Sequence, residues 1–186
     1  MRIISGKYKG RRISPPKNLP VRPTTDMSKE ALFNVLRNHF SFDGLKVLDL
    51  FSGTGNISYE FASRGSDNIT CVDGDFGCVK FIKQTATEFD FNIAAVKSDV
   101  LKFIERCNAK YDIIFADPPY AFEQKIFDKI VIDIFDRNLL EDEGMMIIEH
   151  SKYTKLDHLT HFSFKKSYGG SIFSFFEITS NREETV

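Results

Sequence analysis

The chain has 186 residues, 42 % of them apolar, and a formal net charge of −1. This length suits one domain with a sizeable core, and no apolar stretch is long enough to span a bilayer. The first residues lack the apolar centre of a signal peptide, so we expect a soluble cytoplasmic protein. The three cysteines are odd in number and form no CxxC pair, which favours reduced thiols over a disulfide framework.

The N-terminal segment is strongly basic, although the net charge of the whole chain is close to zero. Residues 1–25 contain seven Lys or Arg side chains and no Asp or Glu, so the remainder of the chain is acidic. Residues 2–14 alternate enough to form a short hairpin, and the four prolines between positions 15 and 23 favour a stiff, extended end. Such an arm suggests a polyanionic partner, although its charge alone fits a solvated tail equally well.

The rest of the chain alternates between helical and strand patterns. Thr25 or Asp26 is placed to N-cap a helix through residues 28–40, whose apolar residues recur at helical spacing. Strands are expected at 46–51, 68–73, 92–98, 111–117 and 144–151, and helices at 56–64, 76–89, 100–107 and 122–137. Two last runs, 161–168 and 171–179, are joined by Gly169 and Gly170 and predict a closing hairpin. This order predicts a mostly parallel sheet with helices on both faces and the last two strands antiparallel at one edge.

A glycine-containing loop follows the first strand, in the sequence VLDLFSGTGNIS at residues 47–58. Gly53 and Gly55 allow the backbone to approach a ligand, and ligands of open α/β sheets lie at the carboxyl ends of strands. The dinucleotide fingerprint is broken, because Ser58 occupies its third glycine position and Asp49 places a carboxylate near where a diphosphate would lie. A sulfonium ligand with a free amino group suits that carboxylate better. A plain strand–helix turn is the alternative.

Two further carboxylates follow the next two strands. Asp73 ends the second strand, where it is placed to accept hydrogen bonds from ribose hydroxyls. Asp99 follows the third strand and is placed to accept from an adenine amino group, with the Val100 backbone alongside. Each acid alone is more often a helix N-cap, and both Asp99 and Asp75 are placed for that role. With Asp49, however, acids follow three consecutive strands, and this order favours a nucleoside-containing ligand.

The motifs DLFSGTG and DPPY together resemble those of the Rossmann-like S-adenosylmethionine-dependent methyltransferases that modify exocyclic amines. In that family the first and fourth strands are neighbours, which would put Asp117 beside the glycine loop. The resemblance gives DPPY a chemical role. Asp117 and the Pro118 carbonyl would accept the two N–H bonds of the amine, the prolines would fix the backbone, and Tyr120 would stack on the base. A turn after a strand is the alternative reading of Asp-Pro-Pro.

A closer resemblance covers essentially the whole chain. The segments MRIISGKYKGRRI, VRPTTDMSKEALFNVL, LDLFSGTG, SRG, DPPY and KSYGGSIFSFF look like those of the RsmD-type enzymes, which methylate the N2 amine of a guanine in 16S rRNA. The resemblance implies a Rossmann-like α/β fold with a seven-stranded, mostly parallel sheet and an antiparallel C-terminal strand. It implies a basic arm or hairpin at 1–25 and a methyltransferase domain at 26–186. It also implies S-adenosyl-L-methionine as cofactor and a monomer whose partner is 16S rRNA or the assembling small ribosomal subunit.

The same resemblance assigns the remaining site residues. Those expected to bind the cofactor are Arg22, Thr24, Thr25, Asp49, Phe51, Gly53, Gly55, Asp73, Asp99 and Val100. Those expected to touch RNA phosphates are Lys7, Lys9, Arg11 and Arg12, while catalysis falls to Asp117, Pro118, Pro119 and Tyr120. No metal is expected, because methyl transfer needs none and the histidines lack a fixed pairing such as HExxH.

Two other functions fit parts of this pattern. A DNA adenine or protein glutamine methyltransferase would share the [ND]PP[YF] motif, but the basic arm and the lack of a separate recognition domain argue against both. A non-catalytic RNA-binding or assembly factor could keep the same fold, and the intact set of carboxylates argues against that function.

Overall fold

The computed structural model describes residues 1–20 and 24–178, and within them seven strands alternate with five helices. In chain order the elements are α1 (Asp26–Leu36), β1 (Lys46–Leu50), α2 (Asn56–Ser63), β2 (Asn68–Asp73), α3 (Phe76–Phe89), β3 (Ile93–Lys97), α4 (Val100–Arg106), β4 (Tyr111–Ala116), α5 (Gln124–Asp136), β5 (Leu140–His150), β6 (Phe162–Tyr168) and β7 (Ser171–Glu177). Every element predicted from the sequence is present.

The seven strands form one sheet in the order β3-β2-β1-β4-β5-β7-β6. The first five are mutually parallel, β7 is antiparallel to β5, and β6 pairs with β7 at the outer edge. The predicted mostly parallel sheet with an antiparallel C-terminal strand is confirmed. Because β1 lies between β2 and β4, the strand order reverses there, and the loops after β1 and β4 open onto one crevice.

Helices cover both faces of the sheet, as predicted. On one face α1, α2 and α3 bury apolar side chains such as Leu32, Phe61 and Ile82, and on the other α4 and α5 bury Ile104 and Ile130. Strands that are covered on both faces need apolar residues at successive positions, which explains the continuous apolar runs of β1 and β4. None of the helices in the described ranges is long and apolar enough to cross a membrane.

The N-terminal arm packs against the domain through residues 1–20. Ile3 N donates to the Arg11 carbonyl at 2.9 Å, so the predicted hairpin is present, although it is reduced to a single antiparallel bridge. Ile3 and Ile13 are buried against Tyr59 of α2. The arm therefore contributes a small apolar cluster of its own to the fold.

A buried ion pair ties the arm to the first two helices. Lys29 of α1 and Glu60 of α2 are both 0 % exposed, and Lys29 Nζ lies 3.0 Å from Glu60 Oε1. Lys29 Nζ also donates to the Arg2 carbonyl at 2.6 Å and to Asn56 Oδ1 at 2.9 Å. Glu60 is paired in addition with Arg64. Both buried charges are thus hydrogen-bonded, which is the condition under which an interior ion pair is tolerated.

Two element ends differ from the prediction. The helix α1 ends at Leu36 rather than near residue 40, because His39 N bonds to the Leu36 carbonyl at 2.9 Å and closes a tighter turn. The strand β5 begins at Leu140 rather than at Gly144, because Leu140 pairs with Tyr111 across a register shift. The acidic residues 141–143 show no apolar alternation, so the sequence pattern could not predict that extension.

Candidate active site

The loop between β1 and α2 has a left-handed backbone at three positions. The φ angle is 57° at Phe51, 51° at Gly53 and 81° at Gly55. A Cβ at Gly55 would lie 2.8 Å from Cζ of Tyr59, so this position needs glycine for space as well as for its φ. A bulky residue such as Phe51 at positive φ is strained, and such strain clusters where a backbone binds a ligand.

A buried carboxylate stands at the start of this loop. Asp49 is 1 % exposed, and its Oδ2 accepts a hydrogen bond from Ser58 Oγ at 2.6 Å. Its Oδ1 is buried and has no hydrogen-bond partner among the described residues. Burial, with a smaller contribution from the charge of Asp73, raises the pKa of Asp49 to about 7. Sequence reasoning used Ser58 only to reject a dinucleotide motif and missed that it orients this acid.

The unsatisfied oxygen of Asp49 fits a ligand that carries an amine. A buried acceptor without a partner costs free energy, and a bound ammonium group would remove that cost and pair with the carboxylate. The left-handed loop beside it lets backbone atoms approach the rest of the ligand. The residues present therefore suit a cofactor with a free amino group, as the sequence predicts.

The carboxylate of Asp73 is held in place by the loops on either side. Its Oδ2 accepts from Gly53 N and its Oδ1 from Asp75 N, each at 2.8 Å. A carboxylate has about four acceptor positions, so two amide donors leave capacity for ribose hydroxyls. The structure brings Asp73 together with the glycine loop, and the ribose contact stays a prediction.

The other predicted acid, Asp99, is a helix cap in this structure. Its Oδ1 accepts from Lys102 N at 3.0 Å at the start of α4, and Asp75 caps α3 in the same way through Cys78 N at 2.8 Å. The capping interpretation is thus confirmed for both acids. The Asp99 cap does not use Oδ2, so the adenine contact stays a prediction. Val100, predicted beside it, is buried at the start of α4.

The DPPY residues lie directly beside the glycine loop. Asp117 N donates to the Leu50 carbonyl at 3.3 Å, which continues the parallel pairing of β4 with β1. After the prolines, Phe122 N donates to the Pro119 carbonyl at 2.9 Å and closes a turn. The rings of Phe51 and Phe122 meet edge to face at 6.0 Å, so the two loops also touch through side chains. The predicted juxtaposition of the first and fourth strands is confirmed.

Tyr120 is held by two residues that sequence reasoning missed. Its hydroxyl lies 2.8 Å from Ser171 Oγ, and it donates to Glu149 Oε1 at 3.3 Å. Its side chain is still 40 % exposed, and burial of the rest raises the pKa of the phenol above its ordinary value. Glu149 is 5 % exposed and follows Ile148, which pairs with Ala116, so it lies beside Asp117 on the neighbouring strand. A lone glutamate inside the apolar run MMIIEH was the available signal.

The segment before α1 supports the same edge of the sheet. Thr25 caps α1, accepting from Ser28 N at 3.1 Å, and the Thr24 carbonyl accepts from Asn56 Nδ2 at 2.9 Å. A Cβ on Gly169, at the tip of the β6–β7 hairpin, would lie 3.9 Å from Ser28 Oγ. Arg22, predicted to bind the cofactor, lies outside the described residues.

The predicted RNA contacts lie on the outer surface of the arm. Lys7, Lys9, Arg11 and Arg12 are exposed, and none of them forms an ion pair with an acid in the described part of the chain. These four positive charges are therefore available to bind phosphate groups. Their contact with RNA stays a prediction.

Other reactive side chains are absorbed by the fold. The three cysteines are free and buried, and burial raises the pKa of the Cys71 thiol. His150 bonds to the Ser151 carbonyl through Nδ1 at 2.8 Å and to Ser174 Oγ through Nε2 at 2.7 Å, and burial lowers its pKa. Across residues 1–20 and 24–178 there is no group of three potential ligands that could hold a metal ion.

The sequence matches one protein family and is similar to several bacterial proteins. The family described as conserved hypothetical protein 95 matches residues 1–177. The Bacillus subtilis protein YlbH is 33 % identical over 162 residues, which are 84 % of this chain and 85 % of YlbH. The Escherichia coli K12 protein named ribosomal RNA small subunit methyltransferase D is 31 % identical over 150 residues, which are 80 % of this chain and 74 % of that protein.

A solved structure supports the same fold. The Escherichia coli protein yhhF aligns with a TM-score of 0.82 at 26 % identity, over 95 % of this chain and 96 % of that chain. The matches to the family, the two relatives and the solved structure therefore each extend over most of the chain rather than one motif.

Proposed function

The chain belongs to the conserved hypothetical protein 95 family, the RsmD family of rRNA methyltransferases, and on that premise we propose that it methylates the N2 amine of a guanine in 16S rRNA with S-adenosyl-L-methionine as the donor. The observation that carries the proposal is the hydrogen bond from Asp117 N to the Leu50 carbonyl. It joins the end of β4 to the loop after β1, so an amine held at DPPY would lie beside a donor held by the glycine loop.

The cofactor would lie across the carboxyl ends of β1, β2 and β3. Asp49 Oδ1 would take its amino group, Asp73 its ribose hydroxyls and Asp99 Oδ2 its adenine amine. Phe51, Gly53, Gly55 and Val100 would surround it, and Arg22, Thr24 and Thr25 would close over it. When bound, S-adenosyl-L-methionine supplies an electrophilic methyl group on a sulfonium sulfur.

The DPPY residues would prepare the amine. The lone pair of an exocyclic amine is delocalised into the base, which makes the nitrogen a poor nucleophile. Acceptance of its two N–H bonds by Asp117 and the Pro118 carbonyl would orient the nitrogen and favour the geometry of attack. Pro118 and Pro119 fix φ, so the Pro118 carbonyl would already point at the amine and little conformational entropy would be lost when the base binds.

Tyr120 would hold the base in the same pocket. An aromatic ring stacks on any unpaired base, and its hydroxyl is already anchored by Ser171 and Glu149. The anchored ring is thus oriented before RNA binds, which reduces the entropy lost on binding.

The RNA would be held by the arm, residues 1–25, while residues 26–186 would form the methyltransferase domain. Lys7, Lys9, Arg11 and Arg12 would contact phosphates, and the target guanine would leave its stack to enter the DPPY pocket. We propose that the protein acts as a monomer. The substrate would be 16S rRNA or the assembling small ribosomal subunit.

The reaction is tested by transfer of label. The protein is incubated with methyl-labelled S-adenosyl-L-methionine and one of three acceptors: unmethylated small subunits, protein-free 16S rRNA or duplex DNA. The acceptor is then digested to nucleosides. We expect label in N2-methylguanosine from subunits or rRNA, and the better acceptor shows how much ribosomal proteins add to recognition.

Other outcomes separate the alternatives. Label in N6-methyladenosine from DNA would keep the DPPY chemistry and overturn the substrate. Absence of label in any acceptor, together with failure to bind S-adenosyl-L-methionine by calorimetry, would favour a non-catalytic RNA-binding role.

A further inference from the structure

A groove with basic and aromatic side chains lies on the side of α1 that faces away from the arm. It has a volume of about 620 Å³ and is lined by α1, the residues that follow it and the edge strand β6. The residues that line it are Ala31, Asn34, Val35, Asn38, His39, Phe164, Lys165, Lys166 and Tyr168. This described lining contains two lysines and no Asp or Glu, in a chain whose overall charge is −1.

The side chains of the groove suit a single strand of nucleic acid. Phe164, Lys166 and Tyr168 alternate along β6 and therefore share one face of the strand. The His39 ring stacks on Phe164, with their centroids 6.4 Å apart and an angle of 20°. Lys166 is exposed and forms no ion pair with any described acid, whereas Lys165 is paired with Asp157 at 3.0 Å. Phe164 and Tyr168 are partly buried against the core, and Lys166 lies exposed between them. Grooves that bind single strands combine such exposed cations with aromatic side chains.

The β6–β7 hairpin links the groove to the candidate active site. Tyr168, at one end of the groove, is followed by the hairpin tip, where a Cβ on Gly169 would lie 3.9 Å from Ser28 Oγ. Two residues further on, Ser171 Oγ lies 2.8 Å from the Tyr120 hydroxyl. A strand whose base enters the DPPY pocket would therefore pass the hairpin tip and meet this groove next.

The groove also connects to the arm through α1. On the other side of this helix lies a groove of about 630 Å³. Its lining includes the basic residues Lys9 of the arm and Arg37, and one acidic residue, Glu30. Asn34 lines both grooves. The helix α1 is thus a ridge with basic grooves on both sides, and only the arm side was expected from the sequence.

We propose that the groove between α1 and β6 binds the single-stranded RNA that flanks the target base, with Lys166 as its phosphate contact. This proposal rests on the proposed function and adds a surface to it. Phosphate contacts fix the register of a strand without reading its sequence, so this surface would position the target base rather than identify it.

The test is charge reversal at Lys166. The full-length Lys166→Glu protein is compared with the wild type for affinity to a 16S rRNA transcript over a range of salt concentrations. We expect roughly three- to tenfold weaker binding at low salt and a salt slope that is smaller by about 0.7, the value of one lost contact to a single strand. Lys166→Gln should lie between the two. Affinity for S-adenosyl-L-methionine should not change, which shows that the fold is intact.

The matched control is Arg106→Glu, at an exposed cation in the last turn of α4 on the opposite face of the sheet. It should bind RNA as the wild type does. If Lys166→Glu also has wild-type affinity and salt slope, the proposal is overturned, and Lys166 serves only to keep the edge strand β6 from pairing with other chains. That result differs from failure of the proposed function, in which the wild type itself would transfer no methyl group to rRNA.

Discussion

The hydroxyl of Tyr120 lies 2.8 Å from Oγ of Ser171, although the two residues are 51 positions apart in the sequence. Tyr120 ends the DPPY loop after β4, and Ser171 begins the last strand of the sheet. The contact fastens the C-terminal hairpin to the loop that would hold the target amine. The hairpin tip also approaches the start of α1, where a Cβ on Gly169 would lie 3.9 Å from Ser28 Oγ.

Loss of this contact should slow the reaction without changing cofactor binding. We expect Ser171→Ala and Tyr120→Phe each to lower kcat/KM for rRNA by roughly three- to tenfold, the worth of one hydrogen bond. Their effects should be less than additive in the double variant, because both remove the Tyr120–Ser171 hydrogen bond, and Tyr120→Phe alone also removes the bond to Glu149. Tyr120→Ala should lose more, since it also removes the stacking surface. Fully additive single effects would show that the hydroxyl contact does not orient the ring.

Asp117 should be the most sensitive position of the DPPY loop. We expect Asp117→Ala to lower turnover by roughly 10²–10⁴, the usual scale for a positioned proton acceptor. Asp117→Asn should retain more activity, because its side-chain carbonyl still accepts one N–H bond. Asp136→Ala, at an exposed residue that ends α5, is the control. Single-turnover rates at saturating cofactor measure the effect, and wild-type turnover in Asp117→Ala would remove the proposed chemistry.

The raised pKa of Asp49 predicts a pH dependence of cofactor affinity. With a pKa of about 7 the carboxyl group is largely protonated at pH 6, whereas a bound ammonium group favours the ionised form. Binding should therefore release a proton below pH 7, and affinity for S-adenosyl-L-methionine should rise from pH 5.5 to 7.5 and then level off. Ser58, Cys71 and Asp73 surround the group, and Asp73 adds to the raised pKa.

The same shift affects folding with the opposite slope. Between the unfolded pKa near 4 and the folded pKa near 7, the folded protein binds more protons than the unfolded chain, so this group lowers stability as pH rises. Asp49→Asn should remove both pH dependences. Calorimetry in buffers of different ionisation enthalpy and urea unfolding across this range provide the measurements. Identical pH profiles in wild type and Asp49→Asn would assign the titration to another group.

Two arm glycines form a natural pair for testing how the arm docks. Gly6 and Gly10 have nearly equal φ angles, +82° and +85°, so alanine is similarly strained at both. A Cβ at Gly6 would lie 1.8 Å from the Ser63 carbonyl oxygen, whereas at Gly10 it would meet nothing within 4 Å. We expect Gly6→Ala to lower the free energy of unfolding by about 1–3 kcal/mol more than Gly10→Ala. If urea unfolding shows that both variants lose the same free energy of unfolding, the arm moves to make room for the Cβ at position 6 without a loss of stability.

Much of the architecture was predictable because it depends on local patterns. The apolar runs of β1 and β4 and the periodicity of α3 and α5 specify their elements directly, and DPPY at the end of a strand indicated the site. The acids at positions 49, 73 and 99 were found because each lies at or just after the carboxyl end of a strand. The cap made by Asp99 was predicted as well, but the hydrogen-bond partners of Asp49 and Asp73 were not, since folding brings Ser58 and the Gly53 amide to them.

The residues that were missed act at long range in the sequence. Glu149 meets Tyr120 only because β5 pairs with β4, and Ser171 only because β7 is inserted between β5 and β6. Lys29 looked like one charge on an amphipathic helix, and nothing local showed that it would be fully buried against Glu60. Pairing order and burial arise from the whole chain, which a motif does not encode.

The domain binds the arm through hydrogen bonds to the arm backbone, so the side chains at these positions can be substituted. Lys29 binds the carbonyl oxygen of Arg2 rather than its guanidinium group, and Glu60 accepts from the backbone amide of Ile4 at 2.8 Å. The Ser63 carbonyl likewise accepts from the amide of Lys7 at 2.7 Å. A peptide group is the same in every residue but proline, so substitution at positions 2, 4 or 7 keeps these bonds. The cations of the arm can therefore be replaced while its docking on the domain stays the same.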